Sequence, residues 1–322
     1  MFTLAELEAA AALVHAHMPP TPQQAWPLLS ARLGLDGVVK HENHTPAGAF
    51  KVRGGIVFID ELARSGIGAR GLVTATRGNH GQSIARAATA AGISATIVVP
   101  MGNSVEKNAA MRGFGATLIE HGVDFDEAKA EAARLAAAND LFMVPSFHAS
   151  LVKGVATYGL ELFRGAPDLA AVYVPIGLGS GICGIIQARD LLGLDTEVIG
   201  VVAENAPAYA LSFEAGVPVP TNSARTFADG MAVREPHPEA LAIIRRGAKR
   251  VVRVGEDAIA EAMRVLFEDT HNVAEGAGAA PLAALMAERA GWQGRRVAVV
   301  VSGGNVDRPV YRQVLAGETP RI

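Results

Sequence analysis

The sequence predicts an α/β protein of two lobes, each an open, mostly parallel sheet with helices on both faces. Short apolar runs alternate with longer helical stretches along most of the chain, and strand–helix alternation builds parallel sheets. The runs are β-branched and nearly continuous in apolar character, which suits strands covered on both faces. Length adds the second lobe, because 322 residues are too many for one small core and match two of ordinary size.

Strands are expected at 38–42, 72–76, 95–99, 117–120, 172–175, 198–203 and 297–301. Helical patterns lie between them. In 256–268 the apolar residues Ile259, Ala262, Met263, Leu266 and Phe267 follow the i, i+3, i+4, i+7, i+8 stripe of a helix packed on a core. Residues 216–238, rich in proline and polar side chains, read as a long surface excursion, and long ordered loops border functional sites. There is no fixed-period repeat and no clean linker. The best break falls near 145–150, after four alternations and before the helical stretch 153–163.

Composition narrows the chemistry. Charged residues make up 19% and the formal net charge is -3, so no basic excess exists to hold a nucleic-acid backbone. A small-molecule substrate is the expected partner. The single cysteine, Cys183, allows no intramolecular disulfide, and no Cys/His zinc spacing occurs. This fits a reducing compartment, and a cytoplasmic location is expected. The N-terminus carries Glu6 and Glu8 among alanines and leucines, without the basic start and apolar run of a secretory signal. No segment offers the roughly 20 uninterrupted apolar residues of a membrane span.

In open parallel sheets ligands bind beyond the carboxyl ends of the strands, and three expected ends carry unusual loops. The run 72–76 feeds Arg77-Gly78-Asn79-His80-Gly81-Gln82, 172–175 feeds Gly177-Leu178-Gly179-Ser180-Gly181, and 297–301 feeds Ser302-Gly303-Gly304-Asn305. Glycines in the second loop let the backbone turn tightly and approach a ligand. The helical pattern 182–192 follows, and a glycine loop feeding a helix start offers free N–H groups to an anion, most simply a phosphate. A plain turn is one alternative. A dinucleotide site is another, since Gly179-x-Gly181-x-x-Gly184 satisfies that fingerprint and Glu204 follows about 20 residues on. Taken alone, this stretch points to a nicotinamide-dependent dehydrogenase. The first loop gathers Thr76, Asn79, His80 and Gln82 at a strand-to-helix junction, where the helix 81–91 would attract a carboxylate. Asn79 serves equally well there as a helix cap. Ser302 either points into a site or caps the turn at Gly303 and Gly304.

Lys51 follows the turn formers Pro46 and Gly48 and precedes a helical pattern at 52–62, with Phe50 and Val52 beside it. A helix start disfavours a cation, so an amine there deprotonates more readily, as a Schiff-base lysine requires. An ordinary snorkelling lysine satisfies the same local sequence.

Five motifs settle the choice by resemblance. Ala49-Phe50-Lys51-x-Arg53-Gly54, Gly78-Asn79-His80-Gly81-Gln82, the glycine loop, Glu275-Gly276-Ala277-Gly278-Ala279 and Ser302-Gly303-Gly304-Asn305 occur in the order seen in fold-type II pyridoxal-phosphate enzymes. The set most resembles the serine/threonine dehydratases and serine racemases, over about residues 38–305. A dehydrogenase leaves four of the five unexplained. The resemblance implies a tryptophan synthase β-like fold, with residues 1–66 and 150–322 as the large cofactor-binding domain. Residues 67–149 would be a small domain closing over the substrate. It also implies a homodimer and pyridoxal 5'-phosphate as cofactor. Lys51 would carry the cofactor covalently and later act as base at the substrate α-carbon. Phe50 would back the ring and Asn79 would bind its 3-oxygen. The amides of Gly177, Leu178, Gly179, Ser180 and Gly181 would hold the phosphate, and Ser302 the ring nitrogen. A serine at that place leaves the nitrogen largely unprotonated, which favours β-elimination over reactions needing a long-lived carbanion. The loop of Thr76, Arg77, Gly78, Asn79 and His80 would take the substrate carboxylate. The reaction implied is loss of water from a 3-hydroxy amino acid of the threonine/serine type, giving a 2-oxo acid and ammonia.

Departures from the family refine this. Ala49 stands where relatives usually have serine. Arg77 stands where serine racemases carry the serine that acts as acid and base on the far face, and arginine is a poor proton donor at neutral pH. Racemisation is therefore disfavoured, and so are the β-replacement synthases, which usually show Asn-Thr-Gly at Asn79-His80-Gly81. Arg77 also suggests a second substrate carboxylate, as in 3-hydroxyaspartate, unless it simply faces solvent. The family's divalent-metal positions fall at Glu204, Ala208 and Ala210, where the second carboxylate is missing, so no tight metal site of that kind is expected. The chain ends at Ile322, which predicts no regulatory domain and no isoleucine feedback. Residues 216–238 and His148 are the candidates for the pocket around the β-substituent.

Overall fold

The computed structural model describes residues 2–66 and 70–321. The expected boundary of the small domain at 67 therefore begins on residues 67–69, outside the described ones. Ten strands occur among the described residues: β1 (Gln23–Ala25), β2 (Asp36–His41), β3 (Leu72–Ala75), β4 (Ala95–Val99), β5 (Thr117–Glu120), β6 (Phe142–Met143), β7 (Ala171–Pro175), β8 (Glu197–Ala203), β9 (Arg250–Val254) and β10 (Arg296–Val301). They form a six-stranded sheet of order β1-β2-β10-β7-β8-β9 and a four-stranded sheet of order β5-β4-β3-β6. The β1–β2 pair is antiparallel and every other pair is parallel.

All seven expected strands are present. The three that sequence reasoning missed sit at sheet edges. β1 and β6 are three and two residues long, too short for a period to show. β9 carries Arg250 and Arg253 and is only half-buried, which interrupts the apolar run expected of an interior strand.

The central strands show why those runs lack polar alternation. In β10, Val297, Val299 and Val301 enter the core that includes Tyr173 and helix Glu256–Thr270. Ala298 and Val300 enter the opposite core, with Val172, Val174 and helix Ala149–Gly165. Successive side chains point to opposite faces, and here both faces are covered.

Helix Lys51–Ser65 is clamped between two others by glycine contacts. A Cβ on Gly154 of helix Ala149–Gly165 would lie 2.3 Å from the carbonyl oxygen of Arg53, and one on Gly54 would lie 2.8 Å from that of Leu151. On the other side, a Cβ on Gly55 would lie 2.9 Å from the carbonyl oxygen of Ser83 in helix Asn79–Ala90. A buried ionic network holds the same helix from below. Arg53 donates to Glu42 at 2.7 and 3.0 Å and to Glu161 at 2.6 and 2.9 Å. Lys40 donates to Glu161 at 2.5 Å. The start of this helix, and so Lys51, is fixed by packing and charge together.

Candidate active site

The loops after β3, β7 and β10 leave the carboxyl ends of their strands, as ligand-binding loops do. One of them, the loop after β10, is joined to the lysine segment by backbone contacts. The amide of Phe50 donates to the carbonyl of Ser302 at 3.0 Å, and that of Gly304 donates to Gly48 at 2.9 Å. Ala49 and Gly303 form an isolated antiparallel bridge. Buried Ser302 is thereby stitched two residues from Lys51.

Lys51 is the first residue of its helix. Its Nζ lies 4.9 Å from the centre of the Phe50 ring. Desolvation lowers the amine to about 8, although the Glu275 carboxylate works in the opposite direction. This is the readily deprotonated amine that the sequence allowed, and not a snorkelling side chain with its head in water.

The glycine loop has the shape of an anion cradle. Gly179 sits at φ 106°, in the left-handed region. A Cβ on Gly177 would lie 2.3 Å from the carbonyl oxygen of Gly230, so no other residue fits without moving backbone. Gly181 faces the Phe50 ring, with its would-be Cβ 3.4 Å from Cζ. Helix Ser180–Leu191 starts here, and its first bond from outside is Cys183 N–H to Gly179 O. The amides of Ser180, Gly181 and Ile182 donate to no backbone carbonyl among the described residues, as at any helix start. Two tyrosines brace the loop from behind. Tyr209 donates to Leu178 O at 2.7 Å and Tyr158 to Gly181 O at 3.0 Å. A phosphate fits these amides.

The loop after β3 places each of its polar side chains differently. Thr76 is buried, and its hydroxyl accepts from the amides of Gly78 at 3.0 Å and Gly81 at 3.4 Å. Its oxygen therefore shapes the loop, while its O–H remains a donor. Arg77 is exposed and makes no hydrogen bond or ion pair among the described residues. The guanidinium faces water. Asn79 is no helix cap, since Gly78 holds that position. Instead its Nδ2 donates to Glu275 Oε1 at 2.6 Å, and its Oδ1 accepts from Asn305 Nδ2 at 2.9 Å. His80 follows in the same loop. Desolvation, and secondarily the charge of Lys51, lowers it to about 3, and its buried Nε2 has no partner. It is a neutral imidazole.

The long loop 216–238 does border the site, through Gly230 against Gly177 and through Asp229. His148 does not. It caps helix Ala149–Gly165 by accepting from the Ser150 amide at 3.2 Å and stands edge-on to Phe58.

Three members of the site had no role assigned from sequence. Glu275 is buried, and desolvation raises it to about 7 against the pull of Lys107. Lys107, from helix Val105–Gly113, donates to Asp229 at 2.5 Å and lies 3.5 Å from Glu275 Oε2. Burial works against its charge, but Asp229 and Glu275 prevail and hold it above its ordinary value. Glu275 lay inside a recognised motif. Lys107 and Asp229 lay in none, because their partners are distant in sequence.

The amine, the phosphate cradle, the asparagine and the serine suit a pyridoxal phosphate and leave the dinucleotide reading without a use for Lys51, Asn79 or Ser302. The comparisons agree. The sequence profile described as "Pyridoxal-phosphate dependent enzyme" matches residues 14–303. An L-threonine ammonia-lyase of Geobacter sulfurreducens is 38% identical over 279 residues, covering 86% of this chain and 69% of that protein. A putative threonine dehydratase of Sinorhizobium fredii is 33% identical over 318 residues, 98% of this chain and 96% of the relative. Among solved structures, maize serine racemase superposes with a TM-score of 0.90 at 26% identity, covering 98% of this chain and 97% of that one. Threonine deaminase isoform 2 of Solanum lycopersicum gives 0.88 at 29%, covering 98% and 94%. With a matching profile over most of its length and the cofactor's contacts gathered around Lys51, this chain belongs to the pyridoxal-phosphate dependent enzymes of fold type II, in their serine/threonine dehydratase group.

Proposed function

We propose that the protein is an ammonia-lyase that removes water from a 3-hydroxy amino acid of the threonine/serine type and releases a 2-oxo acid and ammonia. The observation that carries this reading is the desolvated amine of Lys51, lowered to about 8, at the meeting point of the three loops. Pyridoxal phosphate, when bound, supplies the electron sink that makes the amino-acid α-hydrogen acidic. The amides at the start of helix Ser180–Leu191 hold its phosphate, Phe50 lies against its ring, and Asn79 and Ser302 meet the 3-oxygen and ring nitrogen. The amides of Asn79 and His80 receive the substrate carboxylate at a helix start. Lys51 Nζ removes the α-hydrogen. The β-hydroxyl leaves as water by taking up a proton equivalent to the one Lys51 removed, and the released enamine adds water and loses ammonia to give the 2-oxo acid.

Elimination is favoured over racemisation because a racemase needs a second acid on the far face. Arg77, at that sequence position, is a poor proton donor and is exposed. Residues 1–66 with 150–322 form the cofactor-holding unit in this reading, and 67–149 the unit that closes over the substrate. The four-stranded sheet lies in the second unit and carries Asn79 and His80 at the end of β3. A homodimer and a cytoplasmic location complete the proposal, on the family resemblance and the single buried cysteine. No helix among the described residues is long and apolar enough to cross a membrane.

Borohydride treatment followed by peptide mapping tests the cofactor attachment, with the added mass expected on the Lys51 peptide. A panel of 3-hydroxy amino acids scored for 2-oxo acid and ammonia tests the reaction. A colourless protein that binds a nicotinamide cofactor would overturn the reading.

A further inference from the structure

Glu275 uses its two carboxylate oxygens on two residues of the four-stranded-sheet unit. Oε1 accepts from Asn79 Nδ2 at 2.6 Å, and Oε2 lies 3.5 Å from Lys107 Nζ. Glu275 itself precedes helix Gly276–Glu288, which packs against the six-stranded sheet. Lys107 also donates to Asp229 at 2.5 Å, and its stem lies on the carboxylate loop, where a Cβ on Gly78 would be 2.4 Å from Lys107 Cδ. One buried lysine thus touches the substrate loop, the long loop 216–238 and the carboxylate that holds Asn79.

The charge of Glu275 and the donor of Asn305 together set which way the Asn79 amide points. An ionised carboxylate only accepts hydrogen bonds, so Asn79 must present its NH2 to it. Asn305 donates both to Asn79 Oδ1 at 2.9 Å and to Ala47 O at 2.9 Å, which fixes the other end of the amide. The second Nδ2 hydrogen is then left for the cofactor side. A protonated Glu275 could donate instead, and the Asn305 bond alone would then hold the amide. In this dry site a carboxylate alone would be held neutral, and the nearby cation that opposes this is Lys107.

We infer that Lys107 and Glu275 are positioning residues for the cofactor site: Lys107 keeps Glu275 charged, and Glu275 locks the Asn79 amide with its NH2 toward the cofactor's 3-oxygen. Because Lys107 and Glu275 belong to different sheets' units, the lock is complete only when the two units are together. The inference rests on the cofactor placement proposed above and deepens it.

The test uses purified holoenzyme and the visible absorption spectrum of its bound cofactor, which reports the ionisation of the 3-oxygen. In Lys107→Met the spectrum should shift toward the form with a neutral 3-oxygen, and kcat should fall about tenfold or more, the size of one hydrogen bond to a charged group. Lys107→Arg should restore most of the spectrum, which a merely structural role would not require. The near-isosteric Glu275→Gln guards against misfolding of the first variant, since it should shift the spectrum in the same direction. Folded Lys107→Met or Glu275→Gln holoenzymes with the wild-type spectrum would overturn the inference. A wild-type protein with no cofactor band would sink the cofactor placement, and the lock with it.

Discussion

The amide of Phe50 donates to the carbonyl of Ser302 at 3.0 Å, and this one bond joins the start of the lysine helix to the end of β10. Lys51 and Ser302 are 251 positions apart in sequence (302 − 51). The bond makes their separation a property of backbone, not of flexible side chains, as a preorganised site requires. Lys51→Ala should therefore leave the fold intact while lowering kcat by about 10²–10⁴, the range for losing a positioned base. Circular dichroism would show the unchanged fold, and borohydride would no longer fix the cofactor to the chain. A variant retaining near-wild-type turnover would remove Lys51 from the chemistry.

Gly177→Ala addresses the phosphate cradle. The new Cβ would meet the backbone oxygen of Gly230 at 2.3 Å, and neither strand of chain can yield without moving the loop. Cofactor affinity should fall by an order of magnitude or more, while Gly193→Ala in the same titration controls for general loop changes. Gly193 has open space around its Cβ position but a φ of 65°, so its cost is backbone strain alone, about 1 kcal/mol. Equal cofactor affinity in the Gly177 variant and wild type would show that the loop does not hold the phosphate.

Arg53→Met should be among the most damaging changes outside the site. It strands Glu42, which is fully buried, and takes from Glu161 one of its two cations. Breaking a buried ion pair by removing one partner costs about 3–5 kcal/mol. Thermal unfolding of the apoenzyme should show a drop of several degrees, with Arg53→Lys intermediate because lysine lacks the bidentate fork.

Much of this was legible in the sequence because its signals are local. β10 could be read from Val297 to Val301, since both of its faces are buried. Lys51, Asn79, the glycine loop and Ser302 could be singled out because each sits in a contiguous motif, and the order of those motifs along the chain carries the family resemblance. Lys107 and Asp229 could not, because they matter through ion pairs between residues far apart in sequence, 122 positions for their own pair. Thr76 could be placed at the site but not given its role, since a hydroxyl turned to its own loop amides looks the same in sequence as one turned to a ligand. Arg77 shows the same limit from the other side: its exposure is set by tertiary packing, which no motif records.

His80 and His41 set the acid limb of stability. Desolvation lowers them to about 3 and about 4, against an ordinary value of 6.5. Between those values and 6.5 the unfolded chain takes up protons that the folded chain refuses. Stability contributed by neutral burial is thus fully present above about 6.5 and is lost as pH falls toward 4 and 3. Denaturant unfolding of the apoenzyme across that window should show falling stability, less steeply in His80→Gln. An unchanged slope in that variant would mean that His80 takes a proton in the folded protein.

Arg77 distinguishes two substrates. It is exposed beside the carboxylate loop and free of ion pairs among the described residues, so it contributes nothing to a substrate with one carboxylate. Arg77→Ala should leave kcat/KM for threonine within about twofold, in keeping with a surface change. If 3-hydroxyaspartate turns over at all, the same variant should change it by the same factor. A selective loss of ten-fold or more for 3-hydroxyaspartate, about 1.4 kcal/mol, would mean that the guanidinium swings in to pair with the second carboxylate. That outcome would move the protein's preference toward acidic substrates and reverse the placement of Arg77 in solvent.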